Sequence, residues 1–489
     1  MNGNLFELFR SRWAAAPEQV FLRVPDGHAW TYGEVDDRSA RMATVLHELS
    51  VTPGDRVMVQ APKSVDGVAL YLAALRVGAV YVPLNTAYVG NEVAFFVDDA
   101  EPTVLITADA PESTPTTTSV LTPDELRRRA DAAAPTTTVA TRMADDLAAM
   151  LYTSGTTGRS KGAMLTHTNL VSNAITLHQI WRFEAGDVLL HTLPIFHVHG
   201  LFVALHTAIL NRSEVIFLER FTVDAVLDNL GESTVMMGVP THYVRLLDDP
   251  RLTPDHCRTM RLFTSGSAPM TEIVHAAFTE RTGHHILERY GMTEGGMMIS
   301  NPYDGDRIPG TVGFPLPGVH VRIRNETGEL CGPNETGILE VAGPNMFAGY
   351  WRLPDRTEAE HRDDGFFITG DVGFADSEGR VTLEGRSSDM IISGGLNIYP
   401  RELEMVLDDI PGVKESAVVG LPHPDFGEAP LAVLVADAAP IDLTEVQAVL
   451  DDGVARFKHP RRYEVVDELP RNAMGKVQKS VLRERFAPD

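Results

Sequence analysis

Between residues 56 and 107 the short apolar runs RVMVQAP, VYVPL and TVLIT alternate with segments of helical period, VALYLAALRVG being the clearest. Strand–helix–strand alternation of this kind restricts the chain to an α/β sheet with substantial parallel pairing. The longest apolar tract, GVALYLAALRVGAVYVPL at residues 67 to 84, contains Arg76, Pro83 and internal glycines. These fit a buried helix running into a buried strand better than a membrane span. From about residue 311 the texture turns richer in strand and glycine: TVGFPLPGVHVRI, GILEVAGPNMFAGYW and GRVTLEGR. The last hundred residues read as a small α+β unit with a helix around PRELEMVLDDI, strands ESAVVGLP and LAVLVAD, and a basic tail. A boundary at GRSSDMIISGG divides the chain into a large unit with mixed sheets, residues 1–387, and a small one, residues 388–489. Residues 108–142, with PTTT at both 115 and 135, read as a surface excursion without function of its own.

The formal net charge is −25, which disfavours nucleic acid and anionic membranes as partners. The N-terminal segment has Arg10 and Arg12 where a signal peptide needs an apolar centre. Two cysteines, Cys257 and Cys331, make no disulfide framework and suit a reducing, cytoplasmic compartment. Arginine is the default cation: only Lys63, Lys161, Lys414, Lys458, Lys476 and Lys479 are lysines. A lysine set among glycines therefore carries weight, because a compact ammonium is not interchangeable with a planar guanidinium.

The run LYTSGTTGRSKGAML, residues 151–165, has the composition of a phosphate cradle but not the spacing of a Walker A loop, since Ser160 stands where that motif needs glycine. Thr153, Ser154, Gly155, Thr156, Thr157 and Gly158 offer backbone N–H groups and hydroxyls, and Lys161 a charge. Locally, an ordinary Ser/Thr/Gly surface loop fits as well. In ERYGMTEGG, residues 288–296, Tyr290 offers a ring to stack, Thr293 a hydroxyl and Glu294 a carboxylate for a hard cation. Asp371 in ITGDVG is placed to accept from ribose hydroxyls or to serve as a turn residue. Arg386 in LEGRSSD and Lys476 in RNAMGKVQK complete the set.

YTSGTTGRSKG, YGMTE, TGD, GRSSDMIISGG and PRNAMGK, in this order and across nearly the whole chain, resemble the adenylate-forming superfamily of acyl-CoA synthetases, adenylation domains and luciferases. That resemblance implies the family fold, with a mobile C-terminal domain, and ATP, Mg²⁺ and coenzyme A as co-reactants. It implies that residues 153–158 and Lys161 handle the β- and γ-phosphates. Gly266, Ser267, Ala268, Glu288 and Tyr290 would lie along the adenine, with Asp371 and Arg386 on the ribose. Thr293 would contact the α-phosphate, Glu294 would hold Mg²⁺, and Lys476 would bridge the acid and the α-phosphate. His197 corresponds to a gate between the ATP and acyl pockets. Ser393, Gly394 and Gly395 would flank pantetheine, and Ser388 would be the hinge, where the family usually has Asp or Lys.

Four histidines, His191, His197, His199 and His206, crowd one region, but no Cys or carboxylate completes a tetrahedral zinc set nearby. Arg289 is more informative: a fixed guanidinium at the acyl pocket suits a second carboxylate, the alternative being an internal ion pair with Glu288 or another acid. ERYGMTE with NPYDGDRIPGTVG, PLPGV and RDDGFFITGD closely resembles malonyl-CoA synthetases, which implies a malonate or methylmalonate ligase with Thr241 and Met297 near the C2 substituent. GGMMIS after Glu294 and Leu396 in SGGLN depart from that pattern and leave another short, medium or aromatic acid as the second reading. A free-standing adenylation domain is a third. A catalytically silent nucleotide-binding protein is at odds with the retention of Lys476 and Glu294.

Overall fold

The computed structural model describes residues 2–25, 27–153, 160–393, 396–423, 426–437, 440–454, 456–472 and 475–487. The expected helix and strand of the apolar tract are Val65–Val77 and Val80–Pro83. Ser64 caps the helix, accepting from the Gly67 N–H, and Gly78 ends it with a left-handed φ of 75°, which favours glycine. Arg76 is tolerated at 3% exposure because Asp36 pairs with it at 2.5 Å and its guanidinium lies over the Phe6 ring.

Three sheets result, their strands counted among the described residues. One has six strands in the order Ser119–Leu121, Val104–Thr107, Arg56–Gln60, Val80–Pro83, Leu147–Thr153, Lys161–Thr166. Its last pair is an antiparallel hairpin in which Thr153 faces Lys161. The run 108–142 is more structured than its composition predicts. It holds the strand Ser119–Leu121 and the helix Pro123–Ala132, whose Thr122 cap and leading proline begin it locally.

The second sheet has thirteen strands and changes character along its width. Val20–Arg23, Glu214–Phe217, Val188–His191, Val235–Gly238, Leu262–Ser265 and Leu287–Met292 are parallel. Gly296–Ser300 then joins Leu287–Met292 antiparallel, and antiparallel pairing continues through Thr311–Pro315, Val381–Arg386, Phe367–Ala375 and Gly337–Ala342 to His320–Arg324. ERYGMTE therefore lies where parallel strands end and antiparallel ones begin.

The third sheet holds Leu396–Ile398, Ile391–Ser393, Gly427–Ala436 and Val413–His423, with Arg462–Val466 parallel on Gly427–Ala436. The helix Pro400–Asp408 packs on it through Leu403 and Leu407, as its amphipathic pattern predicts. Among the described residues no helix is long and apolar enough to cross a membrane.

Candidate active site

Alternation along Leu287–Met292 sends Arg289 to one face and Glu288 and Tyr290 to the other. Arg289 is 3% exposed, and its Nε, Nη1 and Nη2 have no hydrogen-bond partner among the described residues. It lies so close against Gly266 that a Cβ there would overlap the guanidinium. Burial draws its pKa down to about 9, the nearby Tyr243 opposing. Arginine keeps its proton in proteins, so this is a buried charge that no described protein group pairs.

The expected alternative, an ion pair with Glu288, does not form. The Glu288 carboxylate accepts from the Gly310 N–H at 3.1 Å. Burial raises its pKa to about 8, while that N–H and then Arg401 lower it and Glu272 raises it. An Arg289 contact would have held the carboxylate low.

Around Arg289 stand the histidines. His197 is partly buried and its Nδ1 accepts from the His199 N–H at 3.3 Å. Burial and the Arg289 charge hold its pKa at about 4, so it is neutral. His199 Nδ1 lies 3.3 Å from the Ser267 hydroxyl, and Ser267 has a left-handed φ of 68°, a strained conformation for serine. His191 sits against Lys63 and the Gly200 carbonyl, and His206 against Tyr71. Among the described residues no group of three or more His, Cys, Asp and Glu is placed to hold a metal. Thr241 lies in the first turn of the helix Pro240–Leu247, and Met297 is buried, its N–H donating to Asn173 Oδ1.

On the opposite face the Tyr290 hydroxyl donates to Asp371 Oδ2, and Asp371 Oδ1 pairs with Arg386 Nε at 2.7 Å. Asp371 and Arg386 are cross-strand neighbours, which fixes the pair in register. Thr369 supports both, its hydroxyl accepting from the Asp371 N–H and its carbonyl from Arg386 Nη1. Lys476 comes from the small unit into this group. Desolvation and then Arg386 lower its pKa, with Asp371 and Asp389 pulling the other way. Its neighbour Gly475, at φ 73°, abuts Thr241: a Cβ there would lie 2.7 Å from Thr241 Oγ1. The lysine loop thus closes on the start of the helix Pro240–Leu247.

Glu294 lies in the turn after Met292, 6% exposed, with partly buried Thr293 beside it. Burial raises its pKa against its own backbone, Tyr350, Arg386 and Lys161. The Tyr350 hydroxyl sits 2.9 Å from Glu294 Oε1 and 2.7 Å from Glu360 Oε2. Lys161 is not free: it pairs with Glu360 Oε1 at 3.0 Å and packs 4.0 Å from the Tyr350 ring centroid. Tyr350 and Glu360 escaped the sequence reading. AGYW carries only strand texture, and nothing marks Glu360 among the acids of PDRTEAEH.

Ser154, Gly155, Thr156, Thr157, Gly158, Gly394 and Gly395 lie outside the described residues. Thr153 ends its strand, Ala268 is partly buried after Ser267, Ser388 lies in the single turn Ser387–Asp389, and Ser393 is buried, paired across the sheet with Leu396.

The AMP-binding enzyme family matches residues 9–351, and the AMP-binding enzyme C-terminal domain residues 402–476. A malonate–CoA ligase of Arabidopsis thaliana is 32% identical over 545 residues, covering 99% of this chain and 89% of that one. A feruloyl-CoA synthase of Amycolatopsis is 36% identical over 469 residues, 94% of each chain. The ATP-bound crystal structure of MatB from Rhodopseudomonas palustris superposes with a TM-score of 0.96 at 49% identity, 99% of each chain being covered; the apo crystal structure of that protein gives 0.85.

Proposed function

This chain belongs to the AMP-binding enzyme family and is an AMP-forming acid–CoA ligase, and from that premise we propose that the acid it activates is malonate or methylmalonate. The observation that carries this reading is Arg289, buried with all three guanidinium nitrogens unpartnered. A dicarboxylic acid supplies the missing anion bidentately while its other carboxylate reacts. A neutral aromatic acid, which the name of the feruloyl-CoA synthase relative brings to mind, leaves the guanidinium bare. The name of the Arabidopsis relative supports the same choice.

A carboxylate is a poor electrophile, so its oxygen first attacks the α-phosphorus of ATP. The bond to the bridging oxygen breaks and pyrophosphate leaves. We assign Lys476 to the α-phosphate and the incoming carboxylate, and Thr293 to the α-phosphate. Both stabilise charge that builds on the phosphoryl oxygens. Asp371 and Arg386 hold the ribose, and Tyr290, fixed by its bond to Asp371, offers its ring to adenine. His197, neutral and beside Arg289, separates the nucleotide from the acid, while Thr241 and Met297 face the C2 substituent.

The residues fit a magnesium ion that travels with the phosphates: Glu294 is a buried carboxylate beside the Thr293 hydroxyl, and among the described residues no protein cage surrounds it. When bound, the ion would offset phosphate charge as the pyrophosphate departs. The small unit, from Ser388 onward, then turns. It withdraws Lys476 and presents Ser393, Gly394 and Gly395 to pantetheine. The CoA sulfur attacks the acyl carbon, the acyl–phosphate bond breaks, and AMP leaves. We place the enzyme in the cytoplasm; its two free cysteines, Cys257 and Cys331, support a reducing compartment.

ATP-dependent pyrophosphate release across a panel of acids, followed by detection of CoA thioesters, tests the substrate. Malonate or methylmalonate should give the highest kcat/KM, and a preference for ferulate or a fatty acid would overturn the reading. Lys476→Ala should lower adenylate formation by about 10²–10³-fold, as loss of a charge-stabilising donor does. Thioester formation from supplied malonyl-AMP should persist, and collapse of both half-reactions would contradict the role.

A further inference from the structure

Lys161 is the cation of the hydroxyl-rich loop, yet its ammonium points into the protein. Glu360 Oε1 holds it at 3.0 Å and is held in turn by Arg356 at 2.6 Å. The other Glu360 oxygen is 2.7 Å from the Tyr350 hydroxyl, which is 2.9 Å from Glu294 Oε1. The ammonium lies 4.0 Å from the Tyr350 ring centroid, which fixes the ring from its face. The Phe347 N–H donates to the Glu294 carbonyl at 2.8 Å, so the segment carrying Tyr350 also pins the Glu294 backbone. Tyr350 is 3% exposed, Glu294 6% and Lys161 9%, so water does not loosen these contacts.

We propose that Lys161, Arg356, Glu360 and Tyr350 form a positioning chain that fixes the Glu294 carboxylate toward the metal carried by ATP. Lys161 serves catalysis through this chain and not by touching a phosphate. Direct phosphate binding would require breaking a largely buried ion pair with a carboxylate that two cations already share. The chain also ties the base of the loop to Glu294. Lys161 opens the strand after the loop, Tyr350 forms a bridge with Ala163 of that strand, and Glu294 lies in the turn joining two strands of a different sheet. A carboxylate whose rotamer is set before ligand arrives orders less on binding, the general advantage of a preorganised site.

The inference rests on the reading of Glu294 as the metal-binding carboxylate, and the test separates the two. ATP binding to the full-length enzyme is measured by calorimetry with and without Mg²⁺, and Mn²⁺ binding in the presence of ATP by electron paramagnetic resonance. Tyr350→Phe keeps the buried ring and removes only the bridge. It should weaken Mn²⁺ binding about tenfold while leaving ATP affinity without metal and the KM for malonate unchanged. Glu360→Gln and Lys161→Met should show the same selective loss, and Tyr350→Phe decides alone if either fails to fold. Weaker metal-free ATP binding in Lys161→Met, with Tyr350→Phe unaffected, would overturn the chain in favour of direct phosphate contact. Glu294→Gln with an unchanged metal dependence would instead remove the premise.

Discussion

Arg289 and Lys161 are both buried cations, 3% and 9% exposed, and the protein treats them in opposite ways. Lys161 has a carboxylate, a second cation sharing that carboxylate and an aromatic face. Among the described residues Arg289 has none of these, and its three guanidinium nitrogens have no partner. Burying an unpaired charge costs several kcal/mol, whereas a paired and hydrogen-bonded one is sustained. The first arrangement holds the protein's own groups in place; the second is complete only when an anion arrives.

Stability separates them most strongly. Lys161→Met leaves Glu360 with Arg356 and the Tyr350 hydroxyl and should destabilise by about 3 kcal/mol, the low end for breaking a buried pair. Arg289→Met removes an unpaired charge and should leave stability unchanged or raise it by about 1 kcal/mol. Urea unfolding of the two variants reads this directly, and equal destabilisation would erase the contrast.

A smaller effect probes whether Glu288 neutralises Arg289. Its folded pKa of about 8 lies above the unfolded value of 4.5. The stability it contributes is therefore full below about 4.5 and lost as pH rises through 8. Glu288→Gln should raise the Tm at pH 9, relative to wild type, by about 2–4 °C more than at pH 6, the scale of roughly 1 kcal/mol. A Glu288–Arg289 pair predicts the reverse sign, with the substitution harmful at high pH.

These contrasts were unevenly visible in the sequence. The parallel α/β core was legible because apolar runs and helical periods do not depend on partners far along the chain. The helix Pro123–Ala132 was hidden: Thr122, Pro123 and Glu125 form a helix start, but the Ala, Thr and Pro around them outweighed it in a compositional reading. Arg289 was half legible. Its place beside Tyr290 suggested a pocket, but choosing between a bare guanidinium and a Glu288 pair required seeing the strand send the two side chains to opposite faces. The Lys161–Glu360 pair joins residues 199 apart, and no local pattern marks such a pair. Lys161 therefore read as a loop cation, with Tyr350 unremarked.

The central claim is that the uncompensated charge of Arg289 is matched by the distal carboxylate of the acid. kcat/KM for malonate and for propionate, in wild type and Arg289→Ala, tests it most directly. Malonate activity should fall by about 10²–10³-fold, the equivalent of roughly 3–4 kcal/mol for truncating one side of a buried charge pair. Propionate, which has no second carboxylate, should change by less than about threefold. Equal losses for the two acids would contradict the account.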